Sequence, residues 1–136
     1  MTAGTDLVLK AAEAASDKKA ERIVILDVSK QLVITDHFLI CSAKNERQVR
    51  TIADEVQKQL TEIGEKPFRR EGEREGRWVL LDYVDFVVHV FHEDERDYYD
   101  LERLWSDAQV LPFEERLNRA TRVMEENDEP AAAEAT

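Results

Sequence analysis

The chain has 136 residues, with 19 basic and 30 acidic side chains, a net charge of −11, 43% hydrophobic content and one cysteine. That length predicts a single domain with its own core, and a lone cysteine excludes an internal disulfide, in keeping with a reducing cytoplasm. No apolar run is long enough to span a bilayer and no signal-peptide pattern opens the chain, so no membrane role is expected. The acidity disfavours phosphate backbones and leaves a basic protein surface as the natural target, although acidity also serves solubility.

Leu7, Val8, Ala11, Ala12 and Ala15 recur at helical spacing. They predict a helix over residues 5–19, capped by Thr5, with Lys18 and Lys19 in the last turn where the macrodipole favours cations. Ile23–Val28 reads as a buried strand, Ser29–Asp36 as a loop, and His37–Cys41 as a second strand. Cys41 inside it fits a core thiol, because a nucleophile would need His37 or His89 placed beside it. Val49, Ile52, Ala53, Val56, Leu60 and Ile63 then form an unbroken apolar helical stripe. Asn45 and Gln48 have capping-box spacing, Ser42 is the alternative cap, and Gly64 fits the left-handed stop.

From Pro67 to Arg77, Arg69, Arg70, Arg74 and Arg77 interleave with Glu71, Glu73 and Glu75. The carboxylates nearly cancel the guanidiniums, so a solvated strand pair or loop is expected rather than a nucleic-acid groove. Trp78–Leu81 and Phe86–Phe91 read as a hairpin. In the second strand Phe86, Val88 and Val90 alternate with Val87, His89 and Phe91. Both faces are largely apolar, which predicts a central strand covered on both sides. Glu93, Asp94 and Glu95 open a helix carrying Tyr98, Tyr99, Leu101, Leu104 and Trp105. Phe113, Leu117, Ala120 and Met124 keep helical spacing, and the chain after Glu125 has the composition of a disordered tail. The elements run α-β-β-α-β-β-β-α, an α/β sheet that a hairpin makes mixed. No P-loop, dinucleotide fingerprint or metal-ligand spacing is present, so neither cofactor nor metal is expected.

Several segments together resemble the ribosomal silencing factor, or Iojap-related, family. They are Asp27-Val28-Ser29, Thr35 to Ser42, Glu46 to Arg50, Glu71-Gly72, Gly76 to Tyr83, His89-Val90-Phe91 and Tyr99 to Trp105. The match runs in order over residues 5–108. The resemblance implies a domain over residues 1–110 and a C-terminal extension over 111–136. It implies a mixed five-stranded sheet flanked by helices, nucleotidyltransferase-like in fold. It also implies a translational repressor that binds ribosomal protein number fourteen of the large ribosomal subunit, blocks small-subunit joining, and forms a homodimer. The family carries glycine where this chain has Val84. A β-branched residue resists positive φ, so a wider hairpin turn is expected here.

The residues and the resemblance converge on an interaction protein with little or no direct nucleic-acid contact. Trp78 and Leu80 share a strand face, and Asp82, Asp97, Asp100 and Glu102 lie near them with Tyr98 and Tyr99. Aromatic anchors ringed by carboxylates suit a hot-spot contact with a cationic partner. Trp78 is expected to be exposed, whereas Trp105 continues the Tyr98–Leu101 stripe and fits the core equally well. The rival classes are a nucleotidyltransferase and a large-subunit assembly factor. The first needs clustered carboxylates for divalent metal, and Asp27, Asp36, Asp82 and Asp85 are dispersed, so no catalytic residue is assigned.

Overall fold

A computed structural model describes residues 4–113. Its elements are α1 (Gly4–Asp17), β1 (Glu21–Asp27), β2 (His37–Ala43), α2 (Glu46–Glu62), β3 (Arg69–Glu71), β4 (Trp78–Asp82) and β5 (Phe86–His92). The chain continues through α3 (Glu93–Tyr99), α4 (Leu101–Leu104) and β6 (Gln109–Leu111). Of the expected C-terminal helix only Phe113 is described, and it packs into the main core. The rest of that helix and the acidic tail lie outside the described residues.

The strands form one mixed sheet in the order β3-β4-β5-β2-β1-β6. The α/β class and the mixed sheet agree with expectation, but the strand count is six and not five. The additional strand, β6, pairs antiparallel with β1 through Leu26 and Val110. Three residues are too few to show an alternating pattern, so only pairing with β1 defines this strand. The β4–β5 hairpin is antiparallel, and β2–β5 is the parallel pair, with Cys41 opposite Val90. Returning from β2 to a parallel neighbour requires a crossover, and α2 supplies it.

Alternation along the strands divides the side chains between two layers. Ile25, Leu39, Cys41, Val79, Leu81, Val88 and Val90 meet α1 and α2 in the larger core. The stripe predicted on α2 does this through Val49, Ile52, Ala53, Val56 and Leu60, all buried, whereas Ile63, expected to continue it, caps the helix end and is exposed. Asn45 caps the helix, accepting from the Gln48 N–H at 2.8 Å, and Gly64 stops it at φ 90°. α1 ends at Asp17, short of the expected Lys18 and Lys19, because the chain turns there through a left-handed Lys19 at φ 64°.

The hairpin tip departs from the wider turn expected of Val84. Val84 sits at φ 72°, and the Asp85 N–H reaches the Tyr83 carbonyl at 2.8 Å, closing a γ-turn. A β-branched residue there is strained and persists only where its surroundings over-determine it. Asp82 supplies part of that constraint, accepting the Val84 N–H at 2.8 Å. The β3–β4 connection needs glycine for a different reason. A Cβ on Gly72, at φ 85°, would lie 1.9 Å from the Trp78 carbonyl oxygen.

On the opposite face, α3 and α4 are fixed by a buried guanidinium. Arg96 is 1% exposed. It donates to Glu102 from Nε at 3.2 Å and from Nη2 at 2.6 Å, and its Nη1 reaches Ser42 Oγ at 3.0 Å and the Glu21 carbonyl at 3.3 Å. One side chain therefore ties both short helices to β1 and β2. Neither helix is long enough to be stable alone, so this anchor and the apolar contacts of Leu101 and Trp105 hold them. Removing one partner of a buried ion pair leaves an uncompensated charge, so Glu102→Ala should cost on the order of 3 kcal/mol. At roughly 4 °C per kcal/mol, thermal unfolding followed by circular dichroism should show a midpoint about 10 °C lower.

Candidate partner-binding face

The helix-free half of the second sheet face is built by β4 and β5. Along β4 the pleat buries Val79 and Leu81 beneath and turns Trp78, Leu80 and Asp82 outward, all half-buried. Their neighbours on β5 are Val87, His89 and Phe91. Trp78 stacks on Phe91 at a centroid distance of 4.8 Å and meets Tyr99 of α3 at 4.9 Å. Tyr98 extends the aromatic line, perpendicular to Tyr99 and 81% exposed. Trp105 turns the other way and packs edge-on against Phe38 at 5.6 Å.

His89 organises this face from below. The Trp78 Nε1–H donates to His89 Nδ1 at 3.1 Å, so the proton of the neutral imidazole sits on Nε2. Burial pulls the pKa of His89 down to about 4, and Nε2 has no hydrogen-bond partner.

The carboxylates expected to ring the aromatics have different surroundings. Asp82 lies at the edge of the face, 3.3 Å from Arg69 Nε, and shapes the Val84 turn. Asp97 is exposed and pairs with Arg22 at 2.9 Å, where a β1 bulge redirects the arginine. Asp100 takes a left-handed conformation at φ 50° between α3 and α4. It flanks a shallow groove with Tyr98, Asp97 and Leu104. Glu102 is the counter-ion of the buried Arg96. Trp78, Leu80, Asp82 and Tyr99 thus share one surface, Asp97, Tyr98 and Asp100 continue it at the α3 end, and Glu102 supports it from inside.

Sequence reasoning missed the apolar rim. Ile34 is 80% exposed and Phe68 75% exposed; with Val87 they border a groove of about 340 Å³ beside Leu80. Both came from segments that read as polar connections, and the only signal was a large apolar residue without a periodic partner.

Arg69, Arg70 and Arg77 meet carboxylates at 2.6–3.3 Å. Burial pushes the Cys41 thiol up to about 12. Its side chain lies in the helix-covered core, on the opposite side of the sheet from His89. His37 is four residues away along the strand, about 13 Å, so no thiol–imidazole pair forms. Asp27 accepts from Ser29 N–H and Oγ–H, which hold its carboxyl below the usual range. Among the described residues, no three metal-ligating side chains converge.

The depressed pKa of His89 has a sign for stability. Unfolded histidine binds a proton near pH 6.5, whereas the folded site resists it down to about pH 4. The contribution of His89 to stability is therefore full above about pH 6.5, falls as pH drops toward 4, and changes no further below that. The fall amounts to about 3 kcal/mol. Urea unfolding at pH 7 and pH 4.5 should show this loss in the wild type, and His89→Phe should show a smaller difference between the two pH values.

Comparison with known proteins places the chain in one family. Residues 2–136 match the model described as ribosomal silencing factor during starvation. The chain is 48% identical over 109 residues to the ribosomal silencing factor RsfS of Halalkalibacterium halodurans, covering 80% of this chain and 93% of that one. It is 46% identical to RsfS of Bacillus subtilis, covering 80% and 92% of the two chains. A crystal structure of a Chromobacterium violaceum protein superposes with a TM-score of 0.76 at 37% identity, covering 77% of this chain and 88% of that one. A Bacillus halodurans structure gives 0.71 at 44% identity, covering 79% and 98%. The chain, with its half-open mixed sheet, belongs to the ribosomal silencing factor family.

Proposed function

We propose that this chain is a ribosome-associated repressor of translation that acts by occupying a surface. Its open face binds the large subunit through ribosomal protein number fourteen and blocks joining of the small subunit. The observation that carries this reading is the β4–β5 face, where half-buried Trp78 and Leu80 lie beside exposed Tyr98 and Phe68. Monomeric domains rarely leave such contiguous apolar surface uncovered without a partner for it. Asp82, Asp97 and Asp100 border the apolar residues, and a net charge of −11 steers the chain toward a basic protein. Ribosomal proteins are typically basic. Three of the four arginines of the β3–β4 region, Arg69, Arg70 and Arg77, are held by carboxylates, which favours protein over RNA as the direct contact.

Occupancy makes a quantitative demand. Light scattering of subunit joining, titrated with this protein, should show inhibition reaching completion at about one protein per large subunit. Complete inhibition at a small fraction of that ratio would mean turnover. Trp78→Ala should weaken binding by about 2 kcal/mol or more, the scale of a hot-spot residue. Far-ultraviolet circular dichroism should show that the variant remains folded.

A further inference from the structure

The groove beside Leu80 contains a polar feature that its apolar lining does not explain. Two residues that line it, Thr35 and His89, each carry a buried side-chain polar atom without a partner, Oγ1 and Nε2 respectively. Native proteins leave few such atoms, and each one costs stability unless something supplies its partner. The two are not neighbours. His89 is opposite Ile40 in the sheet register, whereas Thr35 lies two residues before His37, so the two are separated along the strand direction.

The protonation of His89 sets what each position requires. With Nδ1 accepting from Trp78, Nε2–H is a donor and needs an acceptor, while the Thr35 hydroxyl takes either role. The acceptor is not anionic. Asp82 lies in the groove wall, Asp36 and Asp85 adjoin it in sequence, and the nearest cation, Arg69, is already shared between Asp82 and Glu71. A carboxylate or phosphate would therefore enter an acidic, uncompensated site. Main-chain peptide groups satisfy both positions, being neutral and offering a donor and an acceptor. The apolar middle, bordered by Ile34, Phe68 and Val87, suits a side chain projecting between them. The strained Val84 forms part of the same wall, and strain of this kind gathers at binding sites.

We infer that this groove holds a short extended segment of a basic protein, whose main chain bonds His89 Nε2 and Thr35 Oγ1 while an apolar side chain fills the space between. The inference rests on the reading that this face meets the large subunit, and it identifies the groove as the part that recognises peptide rather than RNA or a second acidic copy of this chain.

Thr35→Val is the informative substitution. It replaces an unpartnered hydroxyl with a methyl of the same shape, so the free protein should be at least as stable as the wild type. Binding to purified large subunits, measured by co-sedimentation, should nevertheless weaken by roughly fivefold to tenfold, the scale of one lost hydrogen bond. His89→Phe should weaken binding by at least a similar factor, and Phe68→Ala, at an exposed position, should do so without unfolding. Undiminished binding by folded Thr35→Val and Phe68→Ala, with the wild type sedimenting normally, overturns the inference and leaves the functional reading standing. A wild type that fails to sediment with large subunits overturns both. If Thr35→Val changes self-association in analytical ultracentrifugation and leaves subunit binding intact, the occupant is a second copy and the inference is wrong.

Discussion

The two short helices that bound the exposed face are held in place by one buried arginine. A guanidinium with almost no solvent contact must find both counter-charge and hydrogen-bond acceptors within the protein. Arg96 finds them in Glu102, Ser42 and the Glu21 carbonyl. Those partners come from α4, β2 and β1, so satisfying the charge fixes the position of both short helices. They cover Leu26, Phe38 and Ile40 with Leu101 and Trp105 and leave the β4–β5 half open. Tyr99 then completes the junction by packing on Trp78 at the boundary. Without the anchor, seven- and four-residue helices would have little reason to persist in these positions.

The sheet thus has a helix-covered, stabilising side and a half-open side that we propose is the binding side. α1 and α2 supply the continuous core, which leaves the other face free to carry features that cost stability. These include the left-handed Val84, the buried His89 and the exposed Ile34 and Phe68. The sheet edges are protected differently. Both β3 and β6 are three residues long, and β3 is charged, with Arg69, Arg70 and Glu71. Short, charged edges discourage edge-to-edge pairing with other chains.

Legibility in the sequence followed the physical range of each interaction. α2 could be read because its stripe repeats over many turns, and the strand Phe86–His92 because both its faces are apolar. Its central position then followed from covering both faces. Trp78, Leu80 and Asp82 share a face through simple alternation, and the structure keeps them together. By contrast, β6 exists only through pairing with β1. Arg96 reads as one more charge in an acidic helix, and nothing local reveals the Ser42 that receives it 54 positions earlier. Val84 argued against a tight turn by propensity alone, yet the hairpin register and the Asp82 cap outweigh that preference. Ile34 and Phe68 were hidden by their loops, and the tertiary arrangement that brings them to one groove is not encoded in either segment.

Hydrogen exchange of the full chain, alone and with large ribosomal subunits, tests the central claim directly. The claim is that the β4–β5 face, and not the helical layer, meets the subunit. Core strands exchange slowly in either state, so the informative amides lie in the connections around the face. Binding should slow exchange in residues 32–36, 66–69 and 83–85 and leave the solvent side of α1 and α2 unchanged. Protection confined to α1 and α2, with those three connections unaffected, would contradict the account.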